Sequence, residues 1–136
     1  MAHPTLVAEV EARLAANWTA TPIVGANTLG TTAGAGEPFL MVDYPLANSM
    51  RASISDRVYR EEGGFRLILH MPRGVGLAQG GTWAEELAAI YRDQRFGDGL
   101  AINTLAPDPP ITDDASDEGN YFLFVIIVPY VFEYRA

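Results

Sequence analysis

Residues 121–132 read YFLFVIIVPYVF, an apolar run with no charge and no glycine. Its wealth of Val, Ile, Phe and Tyr predicts a β-strand. Both alternating faces are apolar. Tyr121, Leu123, Val125, Ile127 and Val131 make the odd face; Phe122, Phe124, Ile126, Val128, Tyr130 and Phe132 make the even one. A strand of a small antiparallel sheet usually buries one face and wets the other. Here something has to cover both, or the run is an aggregation hazard. Extended, it spans about 40 Å, while a chain of this size has a radius of gyration of about 14 Å. The strand therefore crosses the domain or projects from it. Pro129 has no N–H for a ladder, which predicts an edge, a bulge or a departure from the sheet at that point.

Upstream, Pro4 opens a helix, where proline is tolerated at the first position. Leu6, Val7, Val10, Leu14 and Trp18 share one face, Glu9 and Arg13 form an i,i+4 pair on the wet side, and residues 19–22 (TATP) end the helix. Residues 29–36 (LGTTAGAG) read as a loop. A strand is expected over residues 39–46 and a second over 50–60, with a turn at Gly63-Gly64. A half-buried strand follows, with Phe65, Leu67, Leu69 and Met71 on one face and Arg66, Ile68 and His70 on the other. Thr82-Trp83-Ala84-Glu85 has the form of a capping box, although the helix could begin as early as Gly76 if Gly80 and Gly81 are tolerated inside it. Gly97-Asp98-Gly99 turns the chain into a short strand at 100–105, and residues 107–119 make an acidic, proline-containing loop.

The strands cluster instead of alternating with helices. This predicts an α+β fold: a mixed, mainly antiparallel sheet of about five strands with two helices packed mostly on one face. The length of 136 residues fits a single domain over 1–136. There is no Cys, hence no disulfide or thiol chemistry. Neither a signal peptide nor a membrane-spanning helix is legible.

Little in the chain points to catalysis. His3 lies near the N-terminus and His70 in a strand; two distant histidines without Cys make a poor zinc site. Gly34-Ala35-Gly36 and Gly74-Val75-Gly76 lack both the Lys-Ser/Thr of a P-loop and the βαβ setting of a dinucleotide fingerprint. Without Lys there is no side-chain amine for a Schiff base, and no motif marks a catalytic Ser. The expectation is a protein with no enzymatic activity, cofactor or metal.

Charge says more. The formal net charge of −8 argues against a surface that wraps nucleic acid. All nine basic residues are Arg, which suits paired interfacial contacts, though a GC-rich coding sequence would give the same bias. Arg51, Arg57, Arg60, Arg66 and Arg73 dominate the middle of the chain. Asp113, Asp114, Asp117 and Glu118 belong to a later segment with no base. Opposite patches suit a head-to-tail contact between copies, which closes into a ring when the rotation permits. The same patches could equally pair within one subunit or face water. The aromatic even face fits the buried centre of an interface. The odd face is then expected under the helices, and the even face or the end beyond Pro129 at the contact. The candidate interface residues are Arg51, Arg57, Arg60, Asp113, Asp114, Asp117, Glu118, Phe122, Phe124, Tyr130 and Phe132.

An ordered set of features then resembles a known family. It comprises the N-terminal helix ending near Trp18, Thr21-Pro22-Ile23 with Asn27, Pro38-Phe39-Leu40 opening a strand, Gly63-Gly64-Phe65, Pro72-Arg73-Gly74-Val75-Gly76 before the second helix, and Val128-Pro129-Tyr130 in the closing strand. Together these resemble the small tail-terminator proteins of long-tailed phages and of phage-like gene transfer agents. The resemblance implies a virion protein, made in the bacterial cytoplasm and placed at the head–tail junction. It also implies a homo-hexameric ring that caps the tail tube, stops its polymerisation and meets a head-side connector, with DNA only as a passenger through the lumen and no membrane partner. Two other readings stay open: a stopper or tail-completion protein of the connector, and a non-viral, small oligomeric ligand-binding domain.

Overall fold

A computed structural model describes residues 2–24, 37–53, 57–74, 76–113 and 121–135. The elements in chain order are α1 (Pro4–Asn17), β1 (Ile23–Val24), β2 (Phe39–Arg51), β3 (Val58–Pro72), α2 (Ala78–Tyr91), β4 (Arg95–Phe96), a 3₁₀ turn (Asp98–Leu100), β5 (Ile102–Thr104), β6 (Ile111–Asp113) and β7 (Tyr121–Arg135). The strands form one seven-stranded sheet in the order β1-β2-β3-β7-β5-β4, with β6 also paired to β7. Among the described residues, only the β1–β2 pair is parallel. The α+β expectation holds, with more strands than foreseen because β1, β4 and β6 are only two or three residues long.

The apolar run is the middle of β7, which is central instead of at an edge. It pairs with β3 along its whole length, from Pro72↔Tyr121 to Val58↔Arg135. Pro129 is therefore neither an edge residue nor a bulge, and the strand continues past it. Its carbonyl accepts a hydrogen bond from the Leu105 amide at 2.9 Å. In an extended chain the nitrogen of the same residue points the same way. It faces Leu105, whose carbonyl gets no N–H from proline, so the pair makes one ladder bond instead of two, and β5 ends one residue earlier at Thr104.

The β2–β3 hairpin also differs from expectation. The two strands predicted over 39–46 and 50–60 are one long strand and the start of the next, and the chain reverses between Arg51 and Val58. Gly63 and Gly64 lie inside β3, opposite Ala47 and Leu46. The interruption falls in β2, where Tyr44 and Pro45 together oppose the single residue Phe65. Such a bulge inverts the alternation of side chains along its strand. Leu40 and Val42 are buried before it, with Tyr44 packed against the core. Beyond it Ser49 turns inward, its hydroxyl 3.2 Å from the Tyr134 hydroxyl.

Both helices lie on one face of the sheet. On α1, His3 serves as the cap: its Nδ1 accepts from the Thr5 amide at 3.2 Å, and Pro4 takes the first helical position. His3 is thus held in place, with its ring centroid 4.5 Å from that of Tyr134. Leu6, Val10, Leu14 and Trp18 are buried as their spacing predicts. Arg13 is not on the wet side with Glu9. Its Nε donates to the Ile90 carbonyl at 2.9 Å, its Nη2 to Gln94 Oε1 at 3.2 Å, and its guanidinium lies over the Phe96 ring.

On α2 the capping box does not form, because the helix starts four residues before Thr82, whose hydroxyl donates back to the Ala78 carbonyl at 3.0 Å. Gly80 and Gly81 are inside the helix. Gly80 is buried where the Phe124 ring comes so close that a Cβ would sit 2.2 Å from it; Gly81 faces open space. The Tyr91 hydroxyl donates to the Val10 carbonyl at 2.7 Å and ties the two helices together. Phe65, Leu67, Leu69, Ile126 and Val128 complete the core beneath them. Each such fully buried side chain stabilises the fold by roughly 1.5–3 kcal/mol relative to exposure. Among the described residues, no helix is long and apolar enough to cross a membrane.

Candidate assembly surface

The even face of β7 is the one the helices cover. Phe124, Ile126, Val128, Tyr130 and Phe132 are buried, whereas Leu123, Val125, Ile127 and Val131 are only half-buried. The expected assignment of the two faces is therefore reversed. Phe124, Tyr130 and Phe132 belong to the subunit's own core and are closed to a neighbour; Phe122, half-buried, packs at the margin. The physical reason is volume and polarity. The large rings fill the space under α1 and α2, Phe124 against Gly80, while the branched aliphatic side chains suffice for the outer face.

Tyr130 shows what the even face needs. Its hydroxyl donates to Glu61 Oε2 at 2.7 Å, and the same oxygen accepts from the His3 amide at 3.2 Å. Glu61 is a carboxylate buried at 5% exposure in the middle of a sheet. These contacts satisfy it and fasten the start of α1 to β3 and β7. Burial, and then the bond to Glu61, push the Tyr130 phenol well above its usual range. Burial does the same at Tyr91. Neither group is poised for proton transfer near neutral pH. Among the described residues, no three His, Asp or Glu side chains gather to hold a metal.

Among the described residues, no helix lies on the outer face. Its rows follow from the register. Met41, Ile68, Val125 and Ile111 run across four strands, flanked by the row Phe39, His70, Leu123 and the row Asp43, Arg66, Ile127. His70 stacks on Phe39 with ring centroids 4.2 Å apart. Arg66 Nε donates to Asp43 Oδ1 at 2.8 Å, and a second, shorter contact joins Nη2 to Oδ2. The hydrogen bond to Asp43 raises the Arg66 pKa further. The pair is partly exposed, so it contributes register more than stability. Toward the other end the same face turns polar, with Arg60 beside Glu62 and Glu133.

The charged candidates occupy the two ends of the β3–β7 ribbon. Arg51 is opposite Tyr59, Arg57 immediately precedes β3, and Arg60 is opposite Glu133. Asp113 pairs with Leu123 at the other end. Ten positions of β7 separate Leu123 from Glu133, or about 33 Å at the rise of an extended strand. Asp113 and the Arg group are thus held apart within one subunit. Asp114, Asp117 and Glu118 lie outside the described residues, as does the glycine-rich segment 29–36. Sequence reasoning missed Glu61 and the His3 cap. The only available signal was a lone acid, Glu61, at an inward position of a strand.

The described residues thus form an open, antiparallel-dominated sheet with both helices on one side, an apolar outer face, and Asp113 and the Arg group at opposite ends. The model of the phage tail terminator protein family matches residues 5–130, and the chain belongs to that family. It is accordingly a phage tail structural protein and a virion component. A solved structure of another protein, 24% identical, superposes with a TM-score of 0.61, covering 100% of this chain and 99% of that one; it shows that the fold is shared. No curated protein matches.

Proposed function

We propose that the protein is a ring-forming tail terminator: it caps the completed tail tube, stops further polymerisation and joins the tube to the head-side connector. The family match over residues 5–130 carries this reading. The apolar outer face, which no described helix covers, and the separated charges support it physically, since both suit a repeated heterologous contact between copies. Six copies at −8 each would bring −48 to the ring. Where part of that charge lines the lumen it repels phosphate, so passing DNA does not stick. A lumen lined mainly by Arg would contradict this last point.

The test is genetic and visual. In particles lacking the protein, tails are expected to run past their normal length and to stay unattached to heads, and supplying the protein should restore both. Tails of normal length, joined to heads without it, would refute the terminator role. Electron microscopy of purified protein with tail tubes should show a ring at one tube end.

A further inference from the structure

The β4–β5 connection presents a leucine in an unusual way. Asp98–Leu100 forms the 3₁₀ turn, closed by the Leu100 amide donating to the Gly97 carbonyl at 3.1 Å. Gly97 and Gly99 have positive φ, as glycine allows, but so does Leu100, at +55°. A bulky side chain in the left-handed region is strained and persists only where its surroundings hold it there. The Arg95 Nη2 helps to hold it by donating to the Leu100 carbonyl at 3.3 Å. The side chain gains no deep burial in return, being 54% exposed. Single exposed leucines are ordinary; one turned outward on a strained backbone is a knob, and Asp98 stands exposed beside it. The opposite end of the sheet has a socket. Pro72, Arg73, Gly74, Gly76, Leu77 and Phe122 line an open cleft of about 210 Å³ between the end of β3 and the start of α2. That is less than the roughly 300 Å³ at which small-molecule pockets begin, and it has room for one aliphatic side chain. Leu77, largely exposed, extends the apolar rim.

We propose that Leu100 of one copy inserts into this cleft of the next. The inference rests on the ring reading and names its contact. Size, charge and position select a second copy as the occupant. The knob is a single aliphatic group, and the cleft takes one such group. Asp98 stands beside the knob, and Arg73 lines the cleft, so the two surfaces carry opposite charges. Position excludes the subunit's own leucine. Ile102 pairs with Phe132, which is ten positions along β7 from Phe122, or about 33 Å. Leu100, two residues before Ile102, reaches back at most about 7 Å. A knob at one end and its socket at the other make a head-to-tail contact, the type that closes into a ring when the rotation permits.

Leu100→Gly tests the knob without disturbing the fold. Glycine is at ease at this φ, which offsets the freedom it adds to the unfolded chain, so Tm should stay close to that of wild type. Self-association in sedimentation should weaken at least about tenfold. Leu77→Glu tests the socket; an acid at the start of α2 suits the helix, and association should weaken as much. Met50→Ser removes another exposed apolar side chain and should change nothing. The decisive arm mixes the first two variants. Each lacks one half of the contact, so together they should give heterodimers that cannot grow. A mixture that stays monomeric overturns the proposal, as does Leu100→Gly protein that still assembles or an equal loss in Met50→Ser. A marked fall in the Tm of Leu100→Gly also overturns it, because the leucine then packs within its own subunit. If Leu100→Gly rings persist and only their binding to tail tubes is lost, the knob meets the tube protein and the proposal is refuted. Where wild type forms rings by sedimentation and imaging, these outcomes refute the knob contact alone. If wild type stays monomeric even with tail tubes, the ring reading falls with it.

Discussion

Replacing Gly80 and Gly81 separately by Ala should shift stability in opposite directions, although the two residues are adjacent in one helix. Ala is the better helix former, favoured over Gly by roughly 0.5–1 kcal/mol. At Gly81 a Cβ meets nothing within 4 Å. Gly81→Ala should therefore gain most of that propensity, raising Tm by a few degrees for a domain of this size. At Gly80 the new Cβ would sit 2.2 Å from the Phe124 ring, itself held in the core at 3% exposure. Forcing an extra methyl into a packed site costs about 1–3 kcal/mol, which exceeds the propensity gain. Gly80→Ala should lower stability by about 1–2 kcal/mol net of that gain. Urea denaturation followed by far-UV circular dichroism measures both. A double-mutant cycle with Phe124→Leu should recover much of the Gly80→Ala loss, because the smaller side chain vacates the contact. Equal stabilisation by both glycine substitutions would refute the packing of α2 on β7 and, with it, the assignment of the even face to the core.

Phe124→Asp should leave no folded subunit, since it buries a charge under α2, and a normal circular dichroism spectrum would contradict that placement. Val125→Asp, one residue away on the outer face, should keep the subunit folded but abolish its self-association in sedimentation; unfolding instead would mean that this face too is internal core. Tyr130→Phe removes a donor from the buried Glu61 and should cost about 1–3 kcal/mol in chemical denaturation. Tyr91 and Tyr130 have folded pKa values raised above 10, so their contribution is complete below that pH. As pH rises past 10 the unfolded chain ionises first, and stability should fall by up to about 1.4 kcal/mol per pH unit for each tyrosine. The slope of urea midpoints between pH 9 and 11 should be shallower in Tyr91→Phe.

Local periodicity made α1 and the inward positions Phe65, Leu67, Leu69 and Met71 readable, because each alternative face carries charge or a polar group. It failed where both alternatives look alike. The two faces of β7 are apolar, so parity could not say which lies under the helices; the decisive clue was Gly80, whose missing side chain makes room for Phe124. It failed again at Gly63-Gly64, where glycine inside a strand mimics a turn, and at Tyr44-Pro45, where a bulge resets the alternation. At Pro129 the missing N–H costs one bond to Leu105 at the end of β5, while the pairing with β3 on the other side carries the strand past it. The Arg and acidic groups were visible in sequence, but only the register of β7 shows that Arg60 and Asp113 stand at opposite ends.

The brevity of β1 and β4 has a consequence for how copies can meet. They terminate the sheet at either side, and each offers only two residues of ladder. Past Val24 the outer margin of β2 is broken by Pro45 and its bulge. Among the described residues the bulge divides the rest of that margin into shorter runs, which disfavours pairing by an incoming strand. Any contact between copies would then fall to side chains on the outer face and at the ribbon ends. In a phage tail protein such an edge works against growth by sheet extension.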